Sequence, residues 1–340
     1  MKVLDFKAQA VFVDPCEGVL AIARGDKASR LIRIRYPKLS IEELHSFNGE
    51  RCLLLAKIQD LYLASIDNAL FVSRDLIEWR RVLEVSASNI IWHMCETSQG
   101  VIVQEYGDSP TSLWFSDNGY RWNRFLTNLD IDSTSRHFHS IAYDGYRDVV
   151  YATLGDANPI RAVAIHNHDW KPLHVGPLPW QLLPIVVLKD RVVFGFDSGI
   201  ARGGIGIFYP EEERWSFIFL RWIDKHVRYC LMCDFTWLGN GIWISALAIP
   251  QAIIVSENLR QWYSLYVEGY ERRFKHHMNV RVHGDLVACS TGRRLLFFSR
   301  DEVEKNIGGK PVMTPYRGFI DRVRGTLFTI KRMGMVYGKT

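Results

Sequence analysis

Arg136-His137-Phe138-His139, with Gly155-Asp156 about one hairpin further on, is the sharpest chemical grouping in the chain. Residues separated by one other on a β-strand point to the same face, so the imidazoles of His137 and His139 are expected side by side. A returning strand would bring Asp156 to the start of theirs. Two imidazoles and a carboxylate can hydrogen-bond loop carbonyls, contact a ligand, move a proton or ligate a metal. Further histidines recur in comparable settings at His93, His226, His276, His277 and His283, as do the cations Arg51, Lys225, Arg228, Lys275 and Arg317. The carboxylates Asp26, Asp108, Asp156 and Asp197 close the apolar runs that follow such positions.

These residues must be positioned by strands. The stretch around residue 116 divides into NIIWHMCET, GVIVQEYGD, SLWFSDNG and WNRFLTN, and the next into FHSIAYD, DVVYATLGD, IRAVAIHN and WKPLHV. A third set reads YCLMCDFTWLG, GIWISALA, AIIVSEN and WYSLYVE. Short runs rich in Val, Ile, Tyr, Phe and Trp between Gly, Asp and Asn are strand signals. No long amphipathic helix is legible. Between the third and fourth runs stands a polar turn closed by a Trp, as in Ser73-Arg74-Asp75 with Trp79, Ser116-Asp117-Asn118-Gly119 with Trp122, and Ser256-Glu257-Asn258 with Trp262. Weaker slots fall near Arg35-Tyr36, at His166 with Trp170, at Tyr209 with Trp215, and at Ser299, which lacks the Trp. Successive slots lie about 37 to 50 residues apart, the period of one four-stranded propeller blade. Seven slots predict an all-β, seven-bladed β-propeller of four-stranded antiparallel blades, with residues 1–340 as a single domain. The N-terminal residues or the terminal PYRGFIDRVRGTLF segment must supply the strand that closes the ring.

The turn Ser-x-Asp/Asn-x-x-x-Trp resembles the Asp-box, or BNR repeat, of sialidase-like β-propellers. It is carried by Ser73, Asp75 and Trp79, by Ser116, Asn118, Gly119 and Trp122, and by Ser256, Asn258 and Trp262. The resemblance implies that these residues are structural and lie away from the ligand site. Physically, the short polar side chains bond backbone groups of the turn while the Trp covers apolar surface.

With the blades phased, starts of first runs and ends of second runs share one face of the ring, at the mouth of its axial channel. The expected ligand site is therefore His93, Arg136, His137, His139, Asp156, Arg228, His276 and His277. Cationic and imidazole groups at its centre suit an anionic or polyhydroxylated ligand, such as a glycan. The preferred reading is a non-catalytic module binding a glycan, another anionic ligand or a protein partner there, with no catalytic residue, metal or cofactor assigned. Two other classes stay open: a sialidase-like glycoside hydrolase, which would need an arginine cluster, a Tyr–Glu pair and an acid, and an assembly subunit of a larger complex or particle.

Other features narrow the field. A formal charge of +5 is modest at this length and gives no strong nucleic-acid signal. Half the residues are apolar, enough for a core. The uncharged interval between Asp234 and Glu257 contains Gly239-Asn240-Gly241 and Pro250 and reads as buried strands, not a membrane span. The first residues show no signal-peptide pattern, so a cytoplasmic location is the default. The six cysteines form no framework and are expected reduced and mostly buried; Cys230-Leu231-Met232-Cys233 has half the spacing of a zinc site but lacks a second pair. Glu271-Arg272-Arg273-Phe274-Lys275-His276-His277 reads as a solvated basic loop. Arg35, in Ile34-Arg35-Tyr36-Pro37, falls on an outer run, away from the axis.

Overall fold

The computed structural model describes residues 1–25, 27–156, 158–176, 181–197, 203–223, 230–270, 278–316 and 327. Seven antiparallel sheets follow one another along the chain, each in simple up-and-down order. Their first strands are Ala8–Asp14, Leu55–Ile58, Ile90–Glu96, His137–Asp144, Leu182–Val187, Leu231–Gly239 and Asn279–His283. These first strands meet their neighbours around the axis, and later strands step outward, giving a seven-bladed β-propeller.

Burial explains the arrangement. Seven apolar clusters occur, and each is shared between successive blades, including the last with the first. In blade three, the second strand Val101–Tyr106 sends Ile102 toward blade four and Val101 and Val103 toward blade two. Alternating side chains thus find apolar partners on both faces, and central strands become continuously hydrophobic. The uncharged interval behaves this way: Ile242–Ile249 and Gln251–Ser256 are buried along their whole length.

The ring is closed by the N-terminus. Lys2–Asp5 forms the outer strand of blade seven, pairing Lys2 with Phe297 and Asp5 with Arg294. At the other end of the chain, Met313–Pro315 adds a fifth strand to blade five by pairing with Leu220–Trp222. That blade therefore exceeds the four strands expected. Residues 317–326 and 328–340 lie outside the described residues.

The three well-formed turns share one hydrogen-bond pattern. Ser73, Ser116 and Ser256 accept from the backbone N–H three residues on, at 2.9, 2.8 and 3.0 Å. The acceptor two residues after each Ser takes the next two N–H groups, as Asn118 does from Tyr120 and Arg121 at 2.8 and 3.1 Å. The fourth position is left-handed, with φ 67° at Leu76, 76° at Gly119 and 60° at Leu259. Glycine reaches that conformation freely, whereas the two leucines hold it under strain against buried packing. Ser299 departs from the pattern. With Glu302 it makes a capping box that starts the helix Arg300–Glu304, because a carboxylate three residues after a Ser satisfies a helix N-terminus.

Candidate functional site

His137 opens the first strand of blade four, and Gly155 ends the second strand opposite it. The register passes from Phe138↔Leu154 to Ser140↔Thr153, so His139 is the extra residue of a β-bulge. Similar irregularities occur at Gln9 and Trp92, and beside Asp234, on the first strands of blades one, three and six. The bulge keeps both imidazoles on one side, each residue 2% exposed, with their Nε2 atoms 3.0 Å apart. Gly155 makes room for this approach: a Cβ there would stand 2.3 Å from His139 Nε2.

Partners define the protonation. The Gly107 carbonyl accepts from His137 Nδ1 at 2.7 Å, so that nitrogen carries the hydrogen. Burial, then the neighbouring His139, pushes the pKa of His137 down to about 4. The neutral ring leaves a lone pair on Nε2, toward which His139 Nε2–H donates. Tyr106 covers the pair, its ring centroid 4.3 Å from that of His137. Its phenol is pushed up to about 12, first by burial and then by the charges of Asp156 and Asp197.

Asp156 completes the cluster, with carboxylate oxygens 3.8 Å from His137 Nε2 and 3.5 Å from His139 Nε2. Gln181 donates to it at 2.6 Å, and Arg136 lies 3.6 Å away while also reaching Asp108 at 3.2 Å. Burial works against ionisation of Asp156, but His139, His137 and Arg136 outweigh it and hold the pKa down to about 2. Asp197 responds oppositely: burial, together with the charge of Asp156, raises it to about 6 despite His139.

Toward blades one, two, three and seven the same face opens into a cavity of about 860 Å³. Lys7, Arg24, Arg51 and Arg293 line it together with Gln9 and Ser88, and Tyr106 and Gly107 separate it from the histidine pair. Among the described residues, its lining includes four cations and no carboxylate. Arg24 and Arg51 make exposed pairs with Glu50 at 3.3 Å and Asp67 at 3.7 Å.

The sequence-derived site is therefore divided. Arg136, His137, His139 and Asp156 come together, with Asp108 and Asp197 close by. His93 does not join them. It sits further along its strand, its Nδ1 3.2 Å from Gln104 Oε1, in a separate cavity of about 340 Å³ that Asp234 also lines. His283 ends its strand at an exposed position by the turn to Leu286. Arg228, His276 and His277 lie outside the described residues, as do Asp26, Lys225, His226, Lys275 and Arg317. Lys7, Gln9, Arg24 and Arg293 were missed. They obey the same positional rule that picked out Arg51 and Asp26, lying in or beside the first and second strands of blades one and seven.

Of the two thiols in Cys230-Leu231-Met232-Cys233, both are buried and free, and burial pushes both pKa values up. No helix among the described residues is long and apolar enough to cross a membrane.

No family model matches the chain, and no curated protein matches it. Similarity to solved structures is extensive at low identity. The extracellular domain of the putative one-component system BT4673 from B. thetaiotaomicron superposes with a TM-score of 0.59 at 10% identity, over 86% of this chain and 38% of that one. The chain thus spans well under half of that structure's length. YCF48 from Cyanidioschyzon merolae gives 0.59 at 12% identity, covering 88% of this chain and 97% of the other. The Neurospora crassa Pan2 WD40 domain gives 0.56 at 8%, covering 90% and 91%. At these identities the likeness establishes the propeller fold, and function rests on the site itself.

Proposed function

We propose that this chain is a non-catalytic recognition propeller of the Asp-box type, folding as one unit over residues 1–340, which binds an anionic ligand at its channel mouth. An acidic glycan is the leading ligand class. Kinship with Asp-box propellers is supported by the common bonding of the turns at Ser73, Ser116 and Ser256. The observation that carries the ligand class is the cationic wall of Lys7, Arg24, Arg51 and Arg293 around a cavity with no carboxylate among its described lining residues. The lateral pairs to Glu50 and Asp67 are exposed, and such pairs contribute only about 0–1 kcal/mol each, so an incoming anion can replace them. Arg136, His137, His139 and Asp156 form the rim on the blade-four side. By chain position Arg228, His276 and His277 are assigned to the same mouth, and His93 to the channel beneath it.

Binding is favoured over glycoside hydrolysis by the distribution of the required groups. A Tyr–Glu hydrogen bond occurs between Tyr266 and Glu268 at 3.1 Å, but on the outermost strand of blade six, away from the cavity.

The test is an array of sialylated, sulfated and neutral glycans, followed by calorimetry with any hit. Anionic members should bind, more weakly as salt rises, and Arg51→Ala and Arg293→Ala should each weaken binding about tenfold. Absence of binding to every acidic glycan, or equal binding by both variants, would overturn the reading. Aryl sialosides should not be cleaved.

A further inference from the structure

His137, His139 and Asp156 each offer one donor atom, and the three lie within 4.8 Å of one another. We propose that His137 Nε2, His139 Nε2 and an Asp156 carboxylate oxygen bind a divalent first-row transition cation, of the Zn²⁺ or Co²⁺ kind. The inference is independent of the anionic ligand proposed above.

The spacing fits. Two nitrogens each about 2.0–2.1 Å from one cation stand roughly 2.9–3.4 Å apart, depending on the angle between the bonds. The Nε2 atoms are 3.0 Å apart, and Asp156 approaches them at 3.5 and 3.8 Å, so modest side-chain rotation closes the triangle. Imidazole nitrogen with one carboxylate selects late transition cations over Ca²⁺ and Mg²⁺, which take oxygen donors.

The surroundings behave as a supporting shell. The Gly107 carbonyl holds the Nδ1–H of His137 and so aims its Nε2 lone pair inward, and Gln181 orients the carboxylate of Asp156. Without the cation, the Nε2–H of His139 fills the space between the rings. On binding, that proton moves to Nδ1 of the same ring, and the vacated lone pair forms the second metal–nitrogen bond. Nδ1 of His139 is buried and has no hydrogen-bond partner among the described residues, so no existing bond to it is broken. Three protein donors leave coordination positions for water or another ligand on the side where Asp156 is 37% exposed. Arg136 opposes the cation from 3.6 Å beyond the carboxylate, but it can withdraw to Asp108, which it already contacts at 3.2 Å.

The experiment uses the full chain, stripped with EDTA and dialysed. Co²⁺ is titrated while the visible d–d bands are recorded, and Zn²⁺ binding is followed by calorimetry. One equivalent should bind, with bands typical of low-coordinate cobalt. His137→Gln and Asp156→Asn should each weaken binding by at least about tenfold, and Gln181→Ala by about tenfold. Arg136→Ala should tighten it, whereas His283→Gln, at an exposed strand end, should bind like the parent. The proposal fails if neither cation binds, if folded Asp156→Asn binds like the parent, or if His283→Gln abolishes binding.

Discussion

The indole of Trp262 donates to the carbonyl of Leu259 at 3.2 Å, and the ring is fully buried. The same bond joins Trp79 to Leu76 at 3.0 Å and Trp122 to Gly119 at 3.1 Å. Each turn thereby places a large aromatic ring from the start of the fourth strand between its own blade and the preceding one, as Trp79 lies against Phe47 of blade one, and the residue accepting the bond is the one in the left-handed conformation.

Because Trp262 is fully enclosed and Trp79 and Trp122 are partly exposed, the three positions should differ in cost. Trp262→Ala should destabilise the fold by about 3–5 kcal/mol, and the other two substitutions should cost less. Ser256→Ala removes the acceptor for the N–H groups of Leu259 and Asn258 and should cost about 1–3 kcal/mol. Chemical denaturation of the four variants checks the order.

Lys2–Asp5 supplies the closing strand of blade seven, so deleting residues 1–5 should lower the unfolding midpoint by several degrees. It would also leave Arg294–Ser299 as an unpaired edge, and size-exclusion chromatography should detect self-association. A truncated protein as stable and as monomeric as the parent would contradict this role.

Three groups at the rim make stability depend on pH in opposing ways in the metal-free protein. His137 is held near 4 against an ordinary value of 6.5, so the unfolded chain binds more protons between those values. Its contribution is fully present above about 6.5 and is lost as pH falls toward 4. Asp197, raised to about 6, acts in the other direction: its contribution is present below 3.8 and is lost as pH rises through 6. Asp156, lowered to about 2, contributes above 3.8 and loses that contribution as pH falls through 2. His137→Gln should therefore raise stability at pH 4.5 relative to pH 7, compared with the parent. His139, Asp156, Arg136 and Tyr106 are the groups that face His137. Urea denaturation at the two pH values measures the difference.

Thiol reactivity should divide the six cysteines. Cys16 is exposed and the other five are buried, with Cys95 and Cys230 pushed up to about 12 by burial. A disulfide reagent should titrate one thiol rapidly in the native protein and six after unfolding. More than one fast thiol would show that burial of the inner strands is incomplete.

The order of strands was legible because each blade is a local unit. Runs such as NIIWHMCET and GVIVQEYGD are neighbours in sequence and in space, and the turns at Ser73, Ser116 and Ser256 mark their phase. The pairing of His137 with His139 and the approach of Asp156 followed from strand alternation and one hairpin. The chain's own periodicity thus determined the fold class, the number of blades and the nucleus of the candidate site.

Tertiary structure alone decided what depends on contacts between distant parts of the chain. Closure joins Lys2 to Phe297, and no local pattern encodes that choice of terminus. Ring geometry then gathers Lys7, Arg24, Arg51 and Arg293 around one cavity, although they are spread over nearly the whole sequence. It also separates His93 from His137, because a position two or three residues further along a strand is a different depth in the channel. Sequence period fixes which face a residue occupies, whereas its depth and its neighbours across the axis arise only when the ring closes.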